Sequence, residues 1–529
     1  MSDTIELRGE LEELTAEEMM IVDENAEYLG VSRLLLMENA GRSVAEVIEQ
    51  RIGVKGKKII IVAGRGNKGG DGFVAARHIA CKGGRPTVIL VGRGADIEGR
   101  EAKYNWEIIR RMDSSIRIIE LGEFVNLEVL KKELEGADVI VDALIGTGLR
   151  GPLREPLLSI VNIINSIGSF KVSIDVPTGI NPSTGEIHGE AIKADVTVTM
   201  HKPKRGLRGN EHYVGEVIVA NIGIPPEAEV IVGPGDVRFT IRRRHPESKK
   251  GDWGKVLVVG GGWQYSGAPA LAGLAALRAG CDLVVIVTPS SVSGTIRGYS
   301  PNLIVREVDG LKFATKHVDE VIEVAKGFDC VIIGPGMGVD EEVFDAVRLM
   351  VDKFRALNKP MVIDADGLKA LAGHLDLVKG ACAILTPHAG EFKLLFNVDL
   401  KGSWVEKAIE VMKVAREHEI TLLVKAHPED VISDGLRVKV NMTGNPAMTI
   451  GGTGDVLTGL TASILSKKVP NLRAAAAASF ICGAAGSLAA EEKGYHILAT
   501  DVIEKIPEVM RRFEPWIQGL STVLERRRT

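Results

Sequence analysis

Short aliphatic runs recur along the whole chain, each followed by a longer stretch with helical spacing of its apolar residues. Two helical segments come first. Thr15 with Glu18 reads as a capping box opening a helix to about Gly30, and Leu34, Leu35, Met37, Val44 and Val47 carry the buried stripe of a second. The pattern then changes. Residues 58–63 (KIIIVA), 87–91 (TVILV), 138–144 (DVIVDAL), 171–176 (KVSIDV), 196–200 (VTVTM) and 217–222 (VIVANI) are continuous apolar runs of strand length. Strands this apolar, alternating with helices, predict a parallel sheet covered on both faces.

A break follows at residues 223–237, which contain Pro225, Pro226 and Pro234, with Arg242, Arg243, Arg244 and His245 soon after. The basic cluster is short and lacks interleaved aromatics, so it reads as a solvated linker and not a nucleic-acid patch. Beyond it the alternation restarts at residues 255–259 (KVLVV), 283–288 (LVVIVT), 330–334 (CVIIG), 361–364 (MVID), 383–386 (AILT) and 422–425 (LLVK). No motif repeats between the halves. The expectation is an α/β protein of two unlike domains, residues 1–228 and 229–529.

Composition narrows the class without naming a chemistry. The 529 residues are 45% hydrophobic and 26% charged, too apolar for a disordered chain and too long for one ordinary domain. Sixty glycines exceed the ~7% of average proteins without a collagen period. A net charge of −5 supplies no field to recruit nucleic acid or an anionic membrane. Five scattered cysteines, never paired as CxxC, argue against a disulfide framework and a zinc site. No uninterrupted apolar run reaches the ~18 residues of a membrane span, and the acidic N-terminus is the reverse of a signal peptide. A soluble, cytoplasmic protein is expected.

Two glycine-rich loops carry the candidate chemistry. GRGNKGGDG (64–72) follows a strand and is expected to open a helix over 73–81; Gly64, Gly66 and Gly69 satisfy GxGxxG. The acid that would end the next strand and hold a ribose is missing, because Gly92 and Arg93 stand there, which counts against ordinary NAD binding. A helix N-terminus with close backbone access, suited to a pyrophosphate, remains, beside the alternative of a tight strand–helix turn. Two further strand ends, DALIGTGLRGP (142–152) and SIDVPTG (173–179), would open on the same sheet edge and bring Asp142 and Asp175 towards this loop. Either aspartate alone could be a turn former.

In the second half TGNPAMTIGGTGD (443–455) leads into a helix over 456–465. Its glycines predict a backbone cradle for phosphate, with Asp455 placed to take a proton from a hydroxyl attacking that phosphate; a plain aspartate helix cap is the alternative. No Walker A sequence is present.

These residues reach known families. LLLMENAG (34–41), GRGNKGGDG, DALIGTGLRGP and IDVPTG together resemble the NAD(P)H-hydrate epimerases, Rossmann-like three-layer αβα domains that interconvert the R and S forms of hydrated NADH and NADPH. The resemblance implies hydrate binding by Asn67, Lys68, Gly69, Gly70 and Asp71 and by Gly146, Thr147, Gly148, Leu149, Arg150, Gly151 and Pro152, with Asp175 as general base facing the nicotinamide. Lys68, Asp142 and Thr178 occupy positions associated with a potassium ion. The family has a second asparagine where this chain has Lys68, and an ammonium has no lone pair for a metal. Lys68 Nζ is therefore expected to replace the ion, unless only its backbone carbonyl is used.

The second half is similar to the ribokinase-like kinases, and KVLVVGGG (255–262), YSGAP (265–269), GPGMG (334–338), IDAD (363–366) and LTPHAGE (385–391) resemble their ADP/ATP-dependent NAD(P)H-hydrate dehydratase branch. The resemblance implies hydrate contacts from Gly338 and from His388, Ala389, Gly390, Glu391, Phe392, Lys393 and Leu394. It implies nucleotide contacts from Lys425, Ala426, His427, Pro428 and Glu429 and from Asn445, Pro446, Ala447, Met448, Thr449, Ile450, Gly451, Gly452, Thr453 and Gly454, with Asp455 on the substrate hydroxyl. The family often places hydroxyl residues in the turn that reads KAHPE here. Bacterial and archaeal members of that family use ADP and eukaryotic ones ATP. The fused architecture, typical of the prokaryotic enzymes, puts ADP ahead of ATP, and Mg2+ is expected to accompany it. A bifunctional repair enzyme, lyase and isomerase, follows. The alternative is a hydroxymethylpyrimidine-type kinase fused to a non-catalytic binding module. An exposed apolar helix at residues 34–41 would pair copies of the chain, so a homo-oligomer is expected.

Overall fold

The computed structural model describes residues 13–122, 125–146, 148, 151–187 and 189–514. The chain divides into two units between Pro225 and Pro226, each with its own sheet and core. In the N-terminal unit seven strands, β1 (Ile59–Ala63), β2 (Thr87–Leu90), β3 (Arg117–Glu120), β4 (Val139–Ala143), β5 (Phe170–Ile174), β6 (Val196–Met200) and β7 (Glu216–Ala220), form one sheet in the order β3-β2-β1-β4-β5-β6-β7. Every neighbouring pair is parallel. The order reverses between β1 and β4, so the loops after these two strands lead away on either side of a crevice where α/β sheets bind ligands.

Helices cover both faces. Helices Leu127–Leu134 and Leu157–Ser166 bury Leu130, Leu134, Ile160 and Ile164 against Ile60, Val62 and Ile140. On the other side helix Asn67–Cys81 packs between helices Arg33–Arg51 and Arg100–Ile109, and the rings of Phe73 and Trp106 meet at 5.1 Å. The first helix, Ala16–Tyr28, begins at Thr15, whose hydroxyl and backbone N–H exchange the two capping-box bonds with Glu18. Helix Asn67–Cys81 corrects one expectation. It starts six residues before the predicted Phe73, so most of the first glycine loop lies inside the helix.

In the C-terminal unit nine strands, β8 (Lys255–Val259), β9 (Leu283–Pro289), β10 (Ile304–Val308), β11 (Cys330–Ile333), β12 (Met361–Ile363), β13 (Ala383–Leu385), β14 (Thr421–Lys425), β15 (Asp430–Ser433) and β16 (Val438–Asn441), follow the order β10-β9-β8-β11-β12-β13-β14-β15-β16. The sheet is parallel up to β14 and antiparallel from β14 to β16. Its inner strands are apolar on both faces, and alternate residues divide between two cores. Val256, Val258, Ile332 and Leu423 join one with helices Gly267–Arg278, Thr453–Leu465 and Asn471–Lys493. Leu257, Val259, Ile333 and Val424 join the other with helices Glu341–Ala356 and Trp404–His418. That is the period-2 geometry of a strand buried on both sides. Residues 471–496 are long and apolar enough to cross a membrane by composition, with mean hydropathy 1.4 over an 18-residue window, but 78% of that window is buried in the protein.

Candidate functional sites

Asp142 is the last residue but one of β4, and its carboxylate is the hub of the N-terminal unit's buried polar network. Oδ2 accepts from Lys68 Nζ at 2.8 Å, the Thr178 backbone N–H at 2.8 Å and Ser173 Oγ at 3.0 Å. Oδ1 accepts from Thr178 Oγ1 at 2.6 Å and the Leu144 N–H at 3.2 Å. Lys68 arrives from the first turn of helix Asn67–Cys81, and its Nζ also reaches the carbonyls of Val176 at 2.8 Å and Ile145 at 3.2 Å and Thr178 Oγ1 at 3.2 Å. Burial pulls Lys68 below its ordinary pKa against the opposing attraction of Asp142.

Asp175 follows β5 with a left-handed backbone, φ +62°. Its Oδ1 accepts from Lys204 Nζ at 2.5 Å, Thr199 Oγ1 at 3.2 Å and the Met200 N–H at 3.2 Å; Oδ2 takes none of these bonds. Lys204 is fully buried and also donates to the Met200 carbonyl at 2.8 Å. Two more carboxyls surround the pair. Burial raises Asp23, on helix Ala16–Tyr28, to about 6, with Lys204 opposing. Burial and the charges of Asp175 and Asp23 push Asp71 well above the usual carboxylate range. Sequence reasoning missed Asp23 and Lys204. Both lie far along the chain from the motifs, and neither sits in a pattern that marks it.

The glycines of 64–72 answer the choice between cradle and tight turn mostly in favour of packing. A Cβ on Gly64 would meet the Leu144 carbonyl oxygen at 2.1 Å, and one on Gly69 would meet the Gly64 oxygen at 2.1 Å. Gly70 faces Met37 and Gly72 faces Ala143, each at 2.7 Å. Gly66 alone has open space, and it is the helix N-cap. Gly69 and Gly70 are buried, so the accessible part of this loop is its Gly66–Asn67 end. Of the DALIGTGLRGP residues, Gly146, Gly148, Gly151 and Pro152 are partly or fully exposed, while Thr147, Leu149 and Arg150 lie outside the described residues.

In the C-terminal unit Gly451 has open space on its Cα, and Gly452, at φ +95°, caps helix Thr453–Leu465. The helix opens three residues before the predicted Val456, which puts Asp455 in its first turn. Among the described residues no side chain or backbone group hydrogen-bonds the Asp455 carboxylate. Burial raises it to about 7; the charges of Asp364 and Asp366 add to the shift and Lys425 opposes it.

Behind it lies a fixed ion pair. Lys425 Nζ, at the end of β14, is 2.9 Å from Asp364 Oδ1, and Thr458 Oγ1 donates to Oδ2 at 2.6 Å. Burial alone would raise Asp364, but Lys425 and Thr458 hold it below its usual range. Burial would likewise lower Lys425, yet Asp364 and Glu391 raise it. Asp366 Oδ2 accepts from the Gly338 N–H at 2.9 Å, and Oδ1 pairs with Lys369 at 2.8 Å.

Two of the predicted ligand segments of this unit are joined directly. The Lys425 N–H donates to the Pro387 carbonyl at 2.9 Å, and His388 bridges to Lys425. His388 caps helix Ala389–Phe396, its Nδ1 accepting from the N–H groups of Gly390 and Glu391. The Phe392 ring is in the core, which leaves only its backbone to face a ligand. Lys407, absent from the sequence reading, donates to the carbonyls of Ala426 and His427, both at 3.2 Å, and braces the KAHPE turn without the hydroxyls missing there. Asn445 Oδ1 accepts from the Ala447 N–H, and Thr453 Oγ1 reaches the carbonyls of Met448 and Ile450, which closes the glycine loop on itself.

Two α/β units, each with buried ionic machinery at the carboxyl edge of its sheet, define a two-site enzyme class. A family model described as NAD(P)H-hydrate dehydratase matches residues 256–508, and one described as YjeF-related protein N-terminus matches residues 33–206. The chain is 47% identical over 511 residues to the bifunctional NAD(P)H-hydrate repair enzyme Nnr of Pyrobaculum aerophilum, covering 95% of this chain and 99% of that one. It is 43% identical over 503 residues to the enzyme of the same name from Archaeoglobus fulgidus, with coverage of 95% and 99%. An ADP/ATP-dependent NAD(P)H-hydrate dehydratase from Bacillus subtilis, co-crystallized with ATP/Mg2+, is 28% identical, with TM-score 0.45, covering 54% of this chain and 99% of that one. The chain belongs to the bifunctional NAD(P)H-hydrate repair enzymes.

Proposed function

We propose that residues 1–228 epimerise the R and S forms of hydrated NADH and NADPH, and that residues 229–529 dehydrate the S form at the expense of a nucleotide, ADP ahead of ATP. The observation that carries the second activity is Asp455, an unpartnered carboxylate with a pKa of about 7 in the first turn of a helix that opens on glycines. A base poised near neutrality is what proton removal from a ring hydroxyl requires.

Hydroxide is a poor leaving group, and the nucleotide supplies a phosphoryl group that makes the oxygen a good one. Asp455 takes the hydroxyl proton, and the backbone N–H groups of residues 451–454 face the negative charge that develops. The ring nitrogen's lone pair then expels phosphate to leave an iminium ion, and loss of the proton from the ring carbon next to the one that carried the oxygen restores the dihydropyridine. Asn445 to Gly454 and Lys425 to Glu429 hold the nucleotide in this reading, with Gly338 and the exposed parts of His388 to Leu394 on the hydrate. Among the described residues no group of three His, Cys, Asp or Glu forms a metal cage, and Asp364 and Asp366 are committed to Lys425 and Lys369. The donor set suits Mg2+ held mainly through phosphates and water.

Inverting the hydroxyl-bearing carbon requires water to leave one face and return to the other. Asp71, pushed up in pKa, holds a proton for the departing oxygen. Asp175, fixed by Lys204, receives one from the returning water. The chain works in the cytoplasm as a homo-oligomer in this reading, and Leu35, 55% exposed on helix Arg33–Arg51, is its candidate contact.

The test supplies an R/S mixture of hydrated NADH with ADP or ATP to wild type, Asp455→Asn and Asp175→Asn. Asp455→Asn should abolish regeneration of NADH absorbance, and Asp175→Asn should spare the S form while slowing use of the R form. A stable phosphorylated product in place of NADH and free phosphate would favour the kinase alternative.

A further inference from the structure

Four oxygens of three kinds converge on one point beside β4: the Asp142 carboxylate, the Ile145 and Val176 carbonyls and the Thr178 hydroxyl, all between 2.8 and 3.2 Å from Lys68 Nζ. The set carries a single negative charge. Hard oxygen donors with one net charge suit a monovalent cation, and a divalent ion there would be left half neutralised. The potassium ion implied by the epimerase resemblance does not fit this chain, because the ammonium fills its place and has no lone pair to join its shell. The lysine stem reaches the point by running along Gly146, where an added Cβ would come within 3.4 Å of Lys68 Cδ.

We propose that Lys68 is a built-in monovalent cation, that the N-terminal domain therefore needs no potassium, and that removing the ammonium creates a site for a free monovalent ion. The ammonium ties the loop after β4 to the loop after β5, and Val176, whose carbonyl it holds, is the residue next to Asp175. Lys68 is thus a positioning residue for Asp175, acting through the backbone. Three N–H bonds shared among four acceptors satisfy an arrangement in which a neutral side chain would leave the buried carboxylate hydrogen-bonded but without a counter-charge.

The test uses the full chain exchanged into N-methyl-D-glucamine chloride and titrated with KCl, RbCl or NH4Cl at constant ionic strength. Amide hydrogen exchange at residues 139–146 and 170–178 is read together with R-to-S conversion. Wild type should show no change in either, and crystals soaked in rubidium should show no anomalous peak bonded to Asp142. Lys68→Asn should exchange faster and convert the R form slowly without added ion, and K+ or NH4+ should reverse both, since an ion bound only by the folded state stabilises it. A rubidium peak within bonding distance of Asp142 and Thr178 in wild type, or protection of wild type that rises with K+, would overturn the inference. So would a folded Lys68→Asn that ignores every ion. If the variant does not fold, the wild-type arms decide alone. Exchange and scattering do not depend on the epimerase reading; that reading fails separately if no salt supports conversion.

Discussion

Lys204 Nζ sits 2.5 Å from Asp175 Oδ1 in a place where the lysine has no exposure to solvent and the aspartate side chain keeps 15%. The pair is asymmetric: the cation is sealed in, and the carboxylate turns its edge outward. Lys204→Met would leave Asp175 without its counter-charge, at a cost of about 3–5 kcal/mol for breaking a buried pair. Epimerisation should fall by roughly 10²-fold or more, the usual worth of a positioned base. Dehydration of the S form, performed by the other unit, should stay at the wild-type rate and serves as the internal control. Equal loss of both activities would count against the assignment.

Gly64 and Gly66 separate packing from ligand contact. Gly64→Ala drives a methyl into the Leu144 carbonyl, so hydrogen exchange should show the first sheet opened and soluble yield should drop. Gly66→Ala meets nothing. Gly66 is an N-cap, where alanine is poorer than glycine, so stability should fall by about 1 kcal/mol with the fold intact, and a loss of R-form affinity in that folded variant would report a ligand at the helix N-terminus.

Asp455 sets a pH dependence of known sign. Its folded pKa of about 7 stands above the ordinary 3.8, so the folded state holds the proton more tightly than the unfolded one. Stability contributed by that proton is complete below about pH 4 and is lost as pH rises through about 7. Dehydration should rise over the same interval with a single midpoint near 7. Asp455→Asn should stabilise the C-terminal unit at pH 8 by a few kcal/mol, at ~1.4 kcal/mol for each tenfold gain in proton affinity, while abolishing turnover. Denaturant titrations at pH 5 and 8 check the first effect and an NADH absorbance assay the second.

Lys425 lowers the pKa of Asp455, so Lys425→Met should move the midpoint of the dehydration profile upward as well as weakening nucleotide binding. Thr458→Val touches no ligand. Removing its 2.6 Å bond to the buried Asp364 should cost about 1.5–3 kcal/mol, as for hydrogen bonds to charged groups. A Thr458→Val profile with an unmoved midpoint would show that Asp364 acts on Asp455 through its charge and not its orientation.

Much of the fold was legible because the strands that form the two cores are continuous apolar runs. β1, β6 and β8 appear close to where the pattern places them. The missed strands have two physical causes. β3 (RIIE) and β10 (IVREV) are sheet edges, so half their residues face solvent and no run stands out. β15 and β16 pair antiparallel, which leaves no helix between them to punctuate the chain. Of the sites, Asp142, Asp175 and Asp455 were visible as polar residues at strand or helix ends. Lys204 and Lys407 were not, since a lysine that folds inward looks like one that folds outward until its partner is known. The glycine loop of the first half misled in a particular way: backbone crowding and anion binding both call for glycine, and only the Cβ distances distinguish them.

Each unit keeps a side-chain-bearing residue at positive φ where a strand gives way to its buried ion pair, Asp175 at φ +62° after β5 and Ala365 at φ +50° between Asp364 and Asp366 after β12. Such a residue costs of order 1–2 kcal/mol relative to glycine. A glycine at either place would relax the chain, and at Asp175 it would also delete the carboxylate. Asp175→Gly would recover that strain but leave the buried Lys204 ammonium without its counter-charge, a loss of about 3–5 kcal/mol, so the variant should be less stable than wild type and not more. The lysine behind it holds that torsion in place, so a screen for heat resistance alone would retain the aspartate.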